Sequence, residues 1–104
     1  MAHRLIWSTR ATADLQRIAQ YIKRDSAATA EIVLTKVTGL VRRLQRFPLS
    51  GRIVPEWEQV AYREIIVYDY RIIYKVGLDT ASIITIMHAR RRFPKRPPRV
   101  RFPS

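Results

Sequence analysis

The sequence predicts a small α+β domain: a strand and two helices precede three further strands, and the helical hairpin packs on one face of an antiparallel sheet. Two observations predict this class. Apolar residues recur at helical spacing in two stretches of the first half, and three later stretches are rich in β-branched residues. A third observation limits the alternatives, because no segment is apolar for the roughly 20 residues that a membrane span needs.

The first half of the chain carries the first strand and both helices. Residues 4–7 form a short apolar run, and Ser8 is placed to cap the first helix because its hydroxyl can accept a bond from a free backbone amide. Ser26 offers the same cap to a second, longer helix. Pro48 ends that helix, since the residue before a proline is pushed out of the helical region. A loop then continues to about residue 60.

The second half of the chain carries a hairpin and a last strand. Residues 63–76 predict two strands joined at 68–70, and strand alternation places Arg71 and Lys75 on the same face. Charged groups in the middle of a sheet are costly unless they are solvated or paired, so this helix-free face is expected to border water or a ligand. The final strand, 81–88, is apolar on both faces, as a central strand would be.

The composition changes after Ala89, where seven cations, no acid and four of the six prolines follow. Prolines remove backbone donors and favour extended geometry, so this segment predicts an extended arm. We therefore divide the chain into a folded domain, residues 1–92, and a basic, proline-rich tail, residues 93–104. The tail is either a solvated end or an arm that lies on a partner or on a phosphate backbone.

The net charge limits the class of partner. The 104 residues carry 20 Lys and Arg against 8 Asp and Glu, a formal charge of +12, and 16 of the cations are arginines. Arginine binds phosphates and carboxylates in a bidentate manner, so a polyanion or an acidic protein is the expected partner. With no cysteine and two histidines, the sequence offers no metal site and implies no cofactor. It shows no secretory signal, which predicts a cytoplasmic protein.

Four ordered segments resemble the RelE/ParE superfamily of bacterial toxins, also called plasmid stabilisation proteins, and are most similar to its ParE branch. They cover residues 3–92. The segments are W-S-x-x-A-x-x-D-L from Trp7, FPxxGRxVPE from Phe47 to Glu56, the hairpin REI…YRIIYKV, and the closing IMHARR. The resemblance implies the toxin of a type II toxin-antitoxin system, a growth inhibitor that a cognate acidic antitoxin neutralises.

The resemblance leaves the toxin's target open. The ParE branch implies inhibition of DNA gyrase without enzymatic activity, which is the leading interpretation. The RelE and YoeB branches imply a ribosome-dependent mRNA endoribonuclease instead. A third alternative is a nucleic-acid-binding module that is not toxic.

Each alternative uses different residues. A ribonuclease resembling the RelE or YoeB branches would use Arg71, Glu56, His88 and Arg90 as catalytic residues. Against this, Arg71 is also placed to form a structural ion pair with Glu64 or another acid across the hairpin, and a single histidine at a strand end is more often a packing residue. The residues predicted to bind the target or nucleic acid are Arg63, Arg71, Lys75, Arg90, Arg91, Arg92, Lys95 and Arg96.

Overall fold

The structure is a computed structural model that describes residues 2–103. Two helices and five strands follow one another in the order β1, α1, α2, β2, β3, β4 and β5. Their bounds are β1 Arg4–Trp7, α1 Thr9–Lys23, α2 Ala27–Arg43, β2 Arg52–Ile53, β3 Tyr62–Val67, β4 Tyr70–Val76 and β5 Thr80–His88. Among the described residues, neither helix is long and apolar enough to cross a membrane.

The sheet has the strand order β1-β5-β4-β3-β2. This confirms the α+β class, the helical hairpin and the central position of the last strand. Two details differ from the prediction. The sheet is mixed, because β1 pairs with β5 in parallel while the other neighbours are antiparallel. The predicted loop also contains β2, a two-residue strand too short to leave an alternating pattern in the sequence.

Ser8 caps α1 and also ties the helix to the sheet. Its Oγ accepts a bond from the Ala11 amide at 2.9 Å and donates to the Ile84 carbonyl at 2.7 Å. β1 pairs with β5 only as far as Ile83. Beyond that residue, Ser8 and groups at the start of α1 form hydrogen bonds along this edge of β5. Asp14 continues the pattern, because its Oδ2 accepts from the Ile86 amide at 3.1 Å.

The helices cover one face of the sheet with an aliphatic core. Burial of such side chains is the main favourable contribution to folding. The buried members of this core are Ala11, Val33, Val37, Val41, Leu44, Val67, Ile72, Tyr74, Ala81, Ile83 and Ile86.

Gly51 holds the loop before β3 against the sheet. Its amide donates to the Tyr74 hydroxyl at 2.9 Å, and that hydroxyl donates to the Pro48 carbonyl at 2.8 Å. A Cβ atom at Gly51 would lie 2.6 Å from both the Tyr74 hydroxyl and the Glu64 carbonyl oxygen, a distance that real Cβ atoms do not reach. Only glycine therefore permits this approach.

The opposite face of the sheet is also covered. A second, smaller cluster of buried residues forms there, with Tyr62, Phe93 and Val100 packed against it. Its buried members are Val54, Trp57, Ile73, Ile84 and Met87. We call residues 93–101 the strap, because they cross this face without helix or strand.

Hydrogen bonds fix the strap at two points. The Trp57 indole donates from Nε1 to the Pro94 carbonyl at 2.8 Å, and the Thr9 amide donates to the Arg101 carbonyl at 2.9 Å. The helix-free face was expected to border water or a ligand. The strap and the loop around Trp57 cover it instead, because the apolar residues of both segments bury themselves on the sheet.

Candidate functional site

Arg71 is the centre of a charged cluster on the strap-covered face. It is the second residue of β4, and only 8% of its surface is exposed. Its Nε donates to Oε1 of Glu64 at 2.6 Å. Its Nη1 and Nη2 donate to the two carboxylate oxygens of Glu56 at 2.8 and 2.7 Å, which is the bidentate geometry that arginine prefers. The cluster thus joins β4, the neighbouring strand β3 and the loop before β3.

Two further residues complete the cluster. Glu64, which is 1% exposed, accepts a second bond at Oε2 from Nε of Arg52 at 2.6 Å. The Phe93 ring lies 3.9 Å from the Arg71 guanidinium carbon and covers one face of this cation. Two carboxylates and two guanidiniums therefore balance one another, which is how a buried charge is retained. The predicted structural ion pair with Glu64 is confirmed, and Glu56 extends it.

The pKa values of Arg71 and Glu56 both shift in the direction that favours the charged form. The hydrogen bonds from Arg71 lower the pKa of Glu56 below its ordinary value, against the opposing effect of burial. The same bonds raise the pKa of Arg71. Both groups thus stay ionised at neutral pH. A phosphate could reach this guanidinium only by displacing a carboxylate and the Phe93 ring.

His88 faces the opposite side of the sheet. The register pairs Arg71 with Met87 and Tyr70 with His88, and residues opposite each other point to the same face. His88 thus shares the helix side with Tyr70, whose ring meets it edge-on at 5.5 Å. Its Nδ1 accepts a bond from the Arg90 amide at 3.1 Å, so the neutral ring carries its proton on Nε2.

The structure brings together two of the four residues named for a ribonuclease. Arg71 and Glu56 are in contact, whereas His88 points to the other face of the sheet. Arg90 is exposed in the turn after β5. The arrangement neutralises charge, and it leaves the guanidinium and the imidazole without a common space for one substrate phosphate.

The residues predicted to bind a target occupy three settings besides the Arg71 cluster. Arg63 donates from Nη1 to the carbonyls of Gly51 at 3.1 Å and Leu49 at 3.2 Å, so it stabilises the loop. Lys75 is exposed, with its Nζ 5.4 Å from the centre of the Tyr62 ring. The others are exposed in the tail or just before it: Arg90, Arg91, Arg92, Lys95 and Arg96.

Several residues of this site were missed or undervalued from the sequence. Arg52 lies within the FPxxGRxVPE segment, which was the available signal, but its pairing with Glu64 depends on the unpredicted strand β2. Phe93 and Trp57 had no sequence signal beyond being aromatic. Among residues 2–103, no group of three His, Asp or Glu side chains is placed to hold a metal ion.

Comparison with known proteins identifies the family. A profile of the ParE toxin family, described as the ParE toxin of the type II toxin-antitoxin system parDE, matches residues 5–93. The chain belongs to the ParE toxin family. A curated relative, "Putative toxin Y4kP" of Sinorhizobium fredii, is 32% identical in an alignment of 94 residues that covers 88% of this chain and 94% of the relative. The resemblance deduced from the four segments, including its ParE branch, is thus confirmed.

The fold of this ParE-family chain also matches a solved structure. A chain of the chromosomal ParDE TA system from P. aeruginosa superposes with a TM-score of 0.68 at 21% identity, over 84% of this chain and 96% of that chain. At this identity the match supports the fold alone. The two helices and the mixed sheet are therefore the shared framework.

Proposed function

We propose that this ParE-family toxin inhibits DNA gyrase by binding it, and that it does not cleave RNA. One observation carries the second part of the proposal. Arg71, the cation that a ribonuclease would use, is occupied by Glu56 and Glu64 and covered by Phe93. His88 lies on the other face of the sheet. General acid-base cleavage needs the base, the cation and the acid within hydrogen-bond reach of one substrate.

The gyrase part of the proposal is supported by membership of the ParE family. An inhibitor that acts by binding needs an exposed surface, not a catalytic group. The exposed cations before and within the strap supply such a surface. Gyrase holds its DNA substrate during the cleavage step that ParE-like toxins are expected to trap, so a cationic surface there would also face DNA phosphates.

The experiment compares two targets with the same preparation of toxin. Purified gyrase and supercoiled plasmid are incubated with the full chain, and linear DNA is measured after protease treatment. In parallel, programmed ribosomes with a labelled mRNA are incubated with equal amounts of toxin. We expect linear plasmid to accumulate while the mRNA stays intact.

Two outcomes would contradict the proposal. Cleaved mRNA with unaffected plasmid would favour the ribonuclease. No effect in either assay, from a chain whose folding is verified by circular dichroism, would favour a nucleic-acid-binding module without toxicity.

We also propose that a cognate acidic antitoxin docks on the groove between α2 and the β3–β4 turn. This groove has a volume of about 930 Å³. Ile32 and Tyr68 both line it and are 60% and 58% exposed, so the groove presents two large apolar side chains together. Lys36 and Arg43 also line the groove, against one acid, Glu31. An amphipathic segment with acidic residues fits this combination of apolar surface and positive charge.

Tyr68 offers a specific test of the docking proposal. Its φ of 53° lies in the left-handed region, where a side chain is strained and glycine is preferred. Glycine relieves this strain but adds freedom to the unfolded chain, so we expect Tyr68→Gly to change the free energy of unfolding by less than about 1 kcal/mol. We expect it to weaken the antitoxin complex about tenfold because the exposed ring is lost. Urea denaturation and calorimetric titration with the co-encoded antitoxin measure the two effects.

The matched control is Tyr21→Ala, which removes another exposed ring, 67% exposed on α1 and away from this groove. It should leave the antitoxin affinity within twofold of wild type. Equal losses of affinity for the two variants would argue against the groove. A Tyr68→Gly chain that is destabilised by more than about 1 kcal/mol would mean that the turn is not strained.

A further inference from the structure

The strap has an apolar side and a cationic side. Its partly buried residues are Phe93, Pro94, Pro97, Pro98 and Val100, and its exposed residues are Lys95, Arg96, Arg99 and Arg101. The apolar residues belong to the side that packs on the sheet, where Phe93 and Val100 join the second cluster. The sheet therefore holds the chain in a conformation that turns the cations toward solvent.

The strap is held near both ends. At one end Phe93 stacks on Arg71 and the Pro94 carbonyl accepts from the Trp57 indole. At the other end the Arg101 carbonyl accepts from the Thr9 amide. Three prolines between residues 93 and 101 further reduce the freedom of the backbone. Much of the conformational entropy of the strap is thus lost on folding, before any partner binds.

The cations of the strap have no carboxylate within 4.0 Å in the described part of the chain. Within residues 2–103, the ion pairs closer than 4.0 Å use Arg17, Arg52 and Arg71. Segment 90–101 holds seven cations and no acid. This contrasts with the Arg71 cluster, where each guanidinium meets a carboxylate. The positive charge of the strap is available to an external anion.

A groove runs beside the strap and continues the positive surface. Its volume is about 610 Å³, and the strap residues Pro97 to Val100 form one wall. On the sheet side, Lys75 contributes a cation while Thr80 and Ser82 contribute hydroxyl groups. Arg99 is the other charged residue of the described lining, which contains no carboxylate. Cations together with hydroxyl donors are the groups that bind phosphate oxygens.

We propose that the strap and this groove bind the phosphodiester backbone of nucleic acid as a pre-ordered cationic track. Evenly repeated phosphates suit a row of exposed cations fixed on a rigid sheet, and arginine's fork matches a phosphate better than a point charge does. The inference goes beyond gyrase inhibition, because the track binds nucleic acid without gyrase. It also differs from a solvated tail, because the affinity depends on the anchors as well as on the charge.

The first experiment tests the charge. Binding of the full chain to a labelled 20-bp DNA duplex is measured by fluorescence anisotropy between 50 and 200 mM NaCl. A matched RNA duplex, measured in the same way, shows whether the track binds the backbone of DNA or of RNA more tightly. Neutralising the strap by K95Q, R96Q, R99Q and R101Q should lower the affinity at least tenfold and reduce the slope of log K against log salt by roughly 3.6, at about 0.9 per phosphate contact.

The control removes the same charge elsewhere. The variant R10Q, K23Q, R42Q and R46Q neutralises four exposed cations outside the strap and should keep most of the affinity. Equal losses in the two quadruple variants would overturn the proposal, since binding would then follow net charge alone. The proposal also fails if poly-L-glutamate binds the wild-type chain as tightly as the duplex does, because the surface would then suit an acidic protein.

The second experiment tests the anchor without changing the charge. Thr9 is the first residue of α1, where proline is well tolerated, and Ser8 already has φ −68° and ψ 156°, which suit a residue before proline. Thr9→Pro removes the N–H that holds Arg101, whereas Thr9→Ala keeps it. We expect the proline variant to bind the duplex three- to tenfold more weakly than the alanine variant, with equal thermal stability of the domain. Equal affinities would overturn the pre-ordered track.

Discussion

The two faces of the sheet are both covered, but they bury different kinds of side chain. The helix-covered face buries mainly aliphatic residues, and its principal buried acid, Asp14, bonds to the backbone and hydroxyl groups of β5. The strap-covered face buries aromatic residues around the charged cluster of Arg71. The buried charges of this protein are balanced by internal partners, whereas the cations of the strap are exposed to solvent.

This difference changes how variants of Arg71 are interpreted. An arginine in an open site can be removed without loss of the fold, so a loss of activity then reports on chemistry. Arg71 is 8% exposed and bonded to two carboxylates. A loss of toxicity in an Arg71 variant therefore reports first on the folding of the strap-covered face.

The largest expected effect is on the strap-covered face. Arg71→Leu leaves the carboxylate of Glu64 buried without its main partner, which costs about 3–5 kcal/mol of unfolding free energy. Urea denaturation followed by tryptophan fluorescence measures this loss. The matched control is Arg52→Leu, which also removes a partner of Glu64, but its side chain is 59% exposed. Because water can reach the oxygen that it leaves, the expected loss is about 1–2 kcal/mol. Replacing Glu64 by leucine together with Arg71 should recover part of the stability. Similar losses for the two single variants would mean that burial does not distinguish the two arginines.

The next effect is on the helix-covered face. Asp14→Ala leaves the Thr85 hydroxyl and the Ile86 amide buried without an acceptor, where they now bond at 2.6 and 3.1 Å. The expected cost is about 2–3 kcal/mol, with faster hydrogen exchange at Ile86. Asp14→Asn retains one acceptor oxygen and should cost less. The exposed Asp25→Ala should leave stability unchanged within about 0.5 kcal/mol. A cost for Asp14→Ala no larger than that of Asp25→Ala would show that α1 is not tied to β5 through this carboxylate.

The smallest expected effect is a pH dependence of stability that comes from Glu56, on the strap-covered face. The folded-state pKa of Glu56 is lowered by Arg71, so its contribution to stability is fully present above the ordinary value of 4.5 and is lost as pH falls through the lowered value. Because the Glu56 side chain is 40% exposed, solvent screening limits this contribution to less than about 1 kcal/mol. Wild type should lose more stability between pH 6 and pH 3 than Glu56→Gln does. Parallel pH profiles for the two chains, measured by thermal unfolding, would contradict the assignment.

Much of the framework was predictable because its signals are local. The N-caps Ser8 and Ser26, the helical stripes and the apolar final strand are read within one turn or one strand. The parallel pairing of β1 with β5 was not, because residues 4–7 contain no information about a partner 76 positions later. The short strand β2 was missed because two residues leave no alternating pattern, and with it the bond between Arg52 and Glu64.

The sequence by itself determined the class of the fold, the family, and the excess of positive charge after Ala89. It also marked Arg71 as a residue that needed either water or a partner. Only the tertiary structure decided between these alternatives, since the distances from Arg71 to Glu56, Glu64 and Phe93 depend on how the loop, the neighbouring strand and the strap pack together. It likewise placed His88 on the opposite face and fixed the strap on the sheet. The sequence sets the charge of each side chain, whereas the tertiary structure sets which opposite charges lie close enough to neutralise one another.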